Sequence, residues 1–226
     1  MNSKKNKILY VLLHGSMMPE RHQNVMETWG KDVKILFYSD HSDIENKIHK
    51  VSDRTDYHSN EDKHIGAWKL LKDKKLYRHF DWVFFCDDDT FVNHSYLEDN
   101  LEFFDKSKIT GHVLKGTWPR DRSLNYCSGG AGYLVHSKNV EFICKNIKLL
   151  DTGYSDVTLG LFCRRFGIEF DHDDRFNPND HEGKIREGIV TSDVRYNNIQ
   201  DPTEFFSHHY IKTLDQMTKL YELSKK

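Results

Sequence analysis

Hydrophobic positions in this chain fall into short unbroken runs separated by stretches with helical spacing. That is the pattern of strands buried on both faces alternating with amphipathic helices. Residues 7–13 (KILYVLL) read as a first strand and His14-Gly-Ser16 as the loop leaving it. Pro19 and Glu20 suit the first turn of a helix that runs to Trp29 and stops at Gly30. Residues 33–38 (VKILFY) supply the next strand, giving a parallel crossover unit. The polar segment 41–60 has no clear period apart from a short strand near 48–51. A helix over 61–77 places Ile65, Trp68, Leu71 and Leu76 on its inner stripe. The apolar run 82–86 (WVFFC) is then a central strand.

Further along, a short helix over 96–104 turns Leu97, Leu101 and Phe104 inward, and 115–120 is an irregular aromatic loop. A strand at 133–136 leads to a helix capped by Ser137, with Val140, Ile143 and Ile147 on its buried side. A helix over 156–166, closed by Gly167, precedes a strand at 168–170. Segment 171–198 is polar and loop-dominated, and a last helix over 213–223 carries Leu214, Met217 and Leu220 on one face. The predicted class is α/β.

The central run ends in Asp87, Asp88 and Asp89. Three adjacent carboxylates at a buried strand end repel one another, and a hard divalent cation relieves that repulsion. In open α/β sheets, ligands bind beyond the carboxyl ends of the strands, where this triplet falls. A solvated acidic turn is the plainer alternative, which the buried strand before the triplet and Phe91-Val92 after it weigh against.

Composition narrows the picture. With 226 residues and 37% hydrophobic content, the chain can bury one good core, so residues 1–226 are expected to form a single domain. Its 33 basic and 35 acidic residues leave a net charge of -2, which argues against nucleic acid or an anionic membrane held by bulk charge. No apolar run is long enough for a transmembrane segment. The basic N-terminus with its short apolar stretch lacks a signal peptide's length and cleavage site. The four cysteines show no CxxC spacing, which argues against zinc, and Cys86 and Cys163 sit among apolar residues as buried free thiols. A sequon, Asn93-His94-Ser95, follows the acidic triplet, where a glycan would crowd the site; this favours a reducing compartment.

Several separated stretches match one pattern: residues 21–30 (RHQNVMETWG), 82–92 (WVFFCDDDTFV), 126–135 (YCSGGAGYLV), 155–163 (SDVTLGLFC), and 206–210 (FSHHY) with a Met-containing terminal helix. In order and spacing the chain resembles the glycosyltransferases of family 31, the Fringe and core 1 β1,3-galactosyltransferase type. The resemblance implies a GT-A fold, a Rossmann-like α/β/α sandwich with a mostly parallel central sheet. It also implies a UDP-sugar donor, Mn²⁺ (or Mg²⁺), and inversion at the anomeric carbon. In that family the last aspartate of the triplet and a histidine near the C-terminus bind the metal, here Asp89 and His209, with His208 as the neighbouring alternative. Asp87 is expected on the metal directly or through water, and Asp88 at the ribose or sugar of the donor.

The resemblance also assigns a general base before a helix, matched by Ser155-Asp156-Val157, so Asp156 is the catalytic expectation. By its residues alone, Asp156 reads equally as a helix-start carboxylate favoured by the dipole. Ser155 stands where many relatives carry a second acid, which removes a supporting charge. Residues 128–132 (SGGAG) are not a phosphate loop, since no Lys-Ser/Thr follows. Gly129 and Gly130 either let backbone approach the donor sugar or form a tight turn. Arg21 either pairs with the donor pyrophosphate or is a surface charge. Trp118 offers an aromatic face to an acceptor sugar, whereas Trp29 and Trp68 belong to the core.

The functional expectation is a metal-dependent inverting transferase that moves a hexose, galactose first, from a UDP-sugar to a hydroxyl of a glycan, glycopeptide or other acceptor, with a β1,3 link. The rivals are the same reaction with UDP-GlcNAc or UDP-glucose, and a catalytically silent chaperone or sugar-binding relative. Family members follow an anchor and stem and pair several cysteines. The expected location is therefore cytoplasmic if this is the full-length chain, and the Golgi lumen if it is an excised catalytic domain.

Overall fold

The computed structural model describes residues 8–178 and 204–226. In chain order the elements are β1 (Ile8–Leu13), α1 (Pro19–Glu27), β2 (Lys34–Ser39), β3 (Ile48–Lys50), α2 (Asn60–Asp73) and β4 (Trp82–Asp87). Then come β5 (Phe91–Val92), α3 (His94–Asp99), β6 (Ile109–Gly111), β7 (Val113–Lys115), β8 (Asn125–Cys127) and β9 (Tyr133–His136). The last are α4 (Ser137–Asn146), α5 (Ser155–Phe166), β10 (Phe170–His172), β11 (Phe176–Asn177), β12 (Ser207–His208) and α6 (Leu214–Leu223).

A 7-stranded sheet in the order β10-β6-β9-β4-β1-β2-β3 forms the middle layer. β4, β1, β2 and β3 run parallel, as do β6 and β10, while β9 is antiparallel to both of its neighbours. The continuous apolar character of β1 follows from burial on both faces. Ile8, Tyr10 and Leu12 pack with Val25 and Trp29 beside α1 and with Met217, Leu220 and Tyr221 of α6. Leu9, Val11 and Leu13 pack with Ile65, Trp68 and Leu71 of α2, Val140 and Ile143 of α4, and Phe162 of α5. The sheet is thus covered by helices on both sides, with Trp29 and Trp68 fully buried. A small sheet, β11-β12-β5, and a hairpin, β7-β8, sit apart from it.

Local chemistry moves several element ends from their expected places. α1 stops at Glu27, where Thr28 leaves helical geometry (φ -114, ψ -118) with its N–H on the Val25 carbonyl and its hydroxyl donating back to the Asn24 carbonyl at 2.7 Å. Gly30 lies inside the following 3₁₀ turn, where a Cβ would come within 2.8 Å of a Val25 methyl. α2 ends at Asp73, and Leu76 belongs to a separate turn entered through Lys75 at φ 52. α3 starts two residues early, because the Asn93 side chain accepts from the Tyr96 N–H at 3.3 Å and so caps it. That buried cap takes the sequon asparagine out of reach of a glycan. At α4 the cap is His136, whose Nδ1 accepts from the Lys138 N–H, with Ser137 already helical. Leu214 is exposed at the start of α6, and Tyr221 fills the inner stripe instead. The strand expected at 168–170 forms two residues later, as β10. Within the loop expected over 171–198, β11 forms, and residues 179–198 lie outside the described residues. All four cysteines are buried free thiols.

Candidate active site

The acidic triplet lies where the sheet's carboxyl ends open. Asp87 closes β4, and the backbone N–H of Asp88 donates to the Leu13 carbonyl at 3.1 Å, so the turn is tied to β1. The three side chains then part. Asp88, expected at the donor, is turned inward: its Oδ2 lies 2.7 Å from His14 Nδ1 and its Oδ1 lies 3.5 Å from Arg21 Nη1. Burial, with the neighbouring Asp89 charge adding to it, pushes Asp88 up to about 6 despite those partners. Asp87 and Asp89 reach toward the C-terminal segment, Asp89 sharing the Arg21 guanidinium with Asp88.

That segment is positioned by backbone pairing. β12 runs antiparallel to β5, with His208 opposite Phe91. The His209 N–H donates to the Asn177 carbonyl at 3.0 Å, and the Ile211 N–H donates to the Asp89 carbonyl at 2.8 Å. Alternation along the strand sends the two histidines to opposite sides. His208 is fully buried beside Phe91, with Asn177 Nδ2 3.2 Å from its Nδ1. His209 presents Nε2 at 3.2 Å from Asp89 Oδ1 and 3.6 Å from Asp87 Oδ2. Burial opposes charge on this ring, but the two carboxylates outweigh it and hold the imidazole up at about 9. Asp89 is depressed in turn, His209 and Arg21 overcoming its burial, with Arg21 Nη1 3.2 Å from its Oδ2.

The donor set suits a divalent cation. Asp87, Asp89 and His209 each offer a ligand atom, all within 4.8 Å of one another. His209 Nδ1 faces the Pro178 carbonyl at 3.3 Å, so a proton on Nδ1 leaves the Nε2 lone pair pointing at two carboxylates. Acceptors facing acceptors need a bridging proton or a metal. Two carboxylates plus an imidazole fit Mn²⁺ or Mg²⁺ on ligand hardness.

The glycines beside this centre have distinct parts. A Cβ on Gly130 would overlap the His209 ring, so only glycine leaves the imidazole its place. The Thr90 hydroxyl donates to the Gly130 carbonyl at 2.7 Å and fixes that approach. Gly132, at φ +86, lies against Phe84 and the Phe85 carbonyl, where a side chain has no room. Gly129 has ordinary space, its nearest neighbours being Asp156 and Ser155. Asp156 sits in the first turn of α5 with the Val157 N–H 2.8 Å from its Oδ1. Loss of water pushes its carboxyl up to about 6; the Val157 and Gly129 N–H groups oppose the rise, and the Asp87 charge adds to it.

Trp118 is half-buried in a satellite cluster with Leu124, Tyr126 and Val157, so it stands beside the start of α5 rather than over the triplet. His14, the first residue after β1, is absent from the expected set; its place beyond a parallel strand's carboxyl end is the signal that could have found it. A second group, His112, His172 and Asp174, also brings three potential ligand atoms together. There the Val113 N–H donates to His172 Nδ1 at 2.9 Å, which leaves the proton on Nε2, 2.9 Å from Asp174 Oδ1. His172 and Asp174 thus satisfy one another without a cation, with His112 Nδ1 3.7 Å from the same Asp174 oxygen. A cavity of about 380 Å³ adjoins them, lined by Lys115, Asn125, Arg164, Glu169 and His172, and none of the expected site residues borders it.

Sheet order, the single reversed strand and helices on both faces decide the architecture. The fold is GT-A. It is shared with a solved glycosyltransferase involved in glycosylation of the major capsid of PBCV-1, at TM-score 0.51 and 12% identity, over 95% of this chain and 98% of that one. The galactosyltransferase LgtC, solved with donor and acceptor sugar analogues, aligns at TM-score 0.46 and 13% identity over 97% and 95% of the two chains. No family model matches the chain. Among the described residues, no helix is long and apolar enough to cross a membrane.

Proposed function

We propose that this chain is a metal-dependent, inverting glycosyltransferase of the family 31 type. It transfers a hexose, galactose first, from a UDP-sugar to an acceptor hydroxyl, with a β1,3 link. The observation that carries this reading is the meeting of Asp87, Asp89 and His209 within 4.8 Å at the carboxyl end of β4. The half-buried Asp156, lifted to about 6, adds a group able to take a proton near neutral pH.

In the transfer, an acceptor oxygen bonds to the anomeric carbon as the bond from that carbon to the diphosphate oxygen breaks on the opposite face. The hydroxyl proton passes to Asp156. Bound at Asp87, Asp89 and His209, a cation supplies charge neutralisation for the departing diphosphate. Arg21, paired with the Asp88 and Asp89 carboxylates, would offer its guanidinium to the same diphosphate. Asp88, braced by His14, keeps the turn that aims its two neighbours. The Gly129 and Gly130 backbone lets the sugar lie close to the loop, and Trp118 offers an aromatic wall to the acceptor beside α5.

The test is incubation with Mn²⁺ and a panel of UDP-galactose, UDP-glucose and UDP-GlcNAc, with UDP release followed with and without sugar acceptors. Release that needs the metal and favours UDP-galactose supports the reading. A preference for UDP-glucose or UDP-GlcNAc changes the donor and keeps the mechanism. Absence of metal-dependent UDP binding overturns it.

A further inference from the structure

Asp156 is held in place from behind. The loop before α5 turns through two left-handed residues, Asp151 at φ 54 and Gly153 at φ 76, types that tolerate this backbone, and it is supported from outside. The support comes from α2. Glu61, in the first turn of that helix and 2% exposed, extends its carboxylate into the concave side of the loop. Its Oε1 accepts from the Leu150 N–H at 2.7 Å and from the Thr158 hydroxyl at 2.7 Å. Its Oε2 accepts from the Gly153 N–H at 2.8 Å, with the Thr152 hydroxyl at 3.2 Å. Thr152 and Thr158 lie 2.8 Å apart, so the three side chains form one buried polar knot.

Glu61 is on the wrong side of α5 to meet a substrate at Asp156. Thr158 and Asp156 are two residues apart, about 200° around the helix axis. The face that Glu61 grips is therefore opposite the face that bears Asp156. Fixing one face sets the rotation of the other. A carboxylate costs much to bury, and here those donors repay it: they hold Glu61 below its ordinary value although burial works the other way. Stability alone is as well served by an apolar contact at such a place. What the knot adds is orientation of the first turn of α5.

We propose that Glu61 is a positioning residue for Asp156, acting through Thr158 and the 150–153 loop; this rests on the reading of Asp156 as the base. In Glu61→Gln the shape is kept, but the amide presents a donor to donors. The expected result is a fall in kcat of about 10–100-fold, as for a small misplacement of a reacting group, with the affinity for UDP and Mn²⁺ unchanged. The deciding measurement is a double-mutant cycle with Asp156→Asn. If Glu61 acts through Asp156, Glu61→Gln in the Asp156→Asn background lowers the residual rate no further. If the two losses multiply, or UDP affinity falls in step with kcat, the proposal is overturned. Should Glu61→Gln fail to fold, Thr158→Val, which removes one donor, is carried through the same cycle with the same criteria. If Asp156→Asn itself transfers at the parent rate, it is the assignment of the base that fails.

Discussion

His209 Nε2 stands 3.2 Å from Asp89 Oδ1 while the same ring turns Nδ1 to the Pro178 carbonyl. The imidazole is thereby committed to carry either a proton or a metal between two carboxylates. The electrostatics of the centre follow from that commitment, and so do the clearest tests.

Without metal, His209 is held up at about 9 from an ordinary value of 6.5. A group raised on folding contributes stability that is whole below the unfolded value and is lost as pH climbs through the folded one. The melting temperature of the metal-free protein should therefore fall as pH rises from 6.5 toward 9, and His209→Asn should flatten that part of the curve. Because Mn²⁺ must displace the proton, its affinity should rise across the same interval. Thermal scans of the metal-free protein and calorimetric titration with Mn²⁺ at pH 6.5, 7.5 and 8.5 measure the two trends; affinity for Mn²⁺ independent of pH counts against the imidazole as ligand.

Asp89→Ala and His209→Ala should each weaken Mn²⁺-dependent UDP binding by about 100-fold or more, beyond the 10–100-fold usual for outer-shell changes. Circular dichroism should show the fold intact, since both side chains lie at the end of the sheet rather than in the apolar layers.

Adjacent glycines should behave differently. Gly130→Ala forces the His209 ring out and should match His209→Ala in metal binding. Gly129→Ala meets only Asp156 and Ser155 at 3.6 and 3.7 Å and should keep the metal. Equal losses from the two variants would sink this account of the loop.

Asp156→Asn should retain donor binding and lose about 10²–10⁴ in transfer rate, the usual worth of a general base. In the parent, kcat should decline on the acid side of about 6, where Asp156 takes up a proton. A rate profile without that acid limb would point to another base.

Away from the site, Lys63 Nζ lies 2.8 Å from Asp40 Oδ2, with both side chains nearly sealed from water. Lys63→Met removes the partner of Asp40 Oδ2, leaving the Ser16 N–H and the Ser39 hydroxyl on the other oxygen, and should cost about 3 kcal/mol in urea unfolding, the low end for a broken buried pair. Pairing it with Asp40→Asn should restore part of that loss.

The parts of this fold that were legible were those whose own residues declare burial. β1, β2 and β4 are unbroken apolar runs, and no neighbour is needed to see them. The short strands β5, β6 and β12 were not legible, because two or three residues carry no period; pairing partners far along the chain make them strands. The acidic triplet could be read, but its division of labour could not. That Asp88 is held by His14 while Asp87 and Asp89 reach His209 depends on the adjacency of β1 and β4, which alone brings His14 near. Choosing between His208 and His209 needed the register of β12 against β5. Nothing in the sequence singles out Glu61, since a glutamate on a helix is by default a solvated residue.

The short β11-β12-β5 sheet has a consequence for the order in which the molecule becomes whole. Its strand β12 comes from beyond residue 204, so β1 to β10 can pair while Asp87 and Asp89 still lack His209. A chain cut before residue 205 carries every strand of the main sheet but lacks His209, so the pairing of β12 with β5, and not the main sheet, decides whether Asp87, Asp89 and His209 come together.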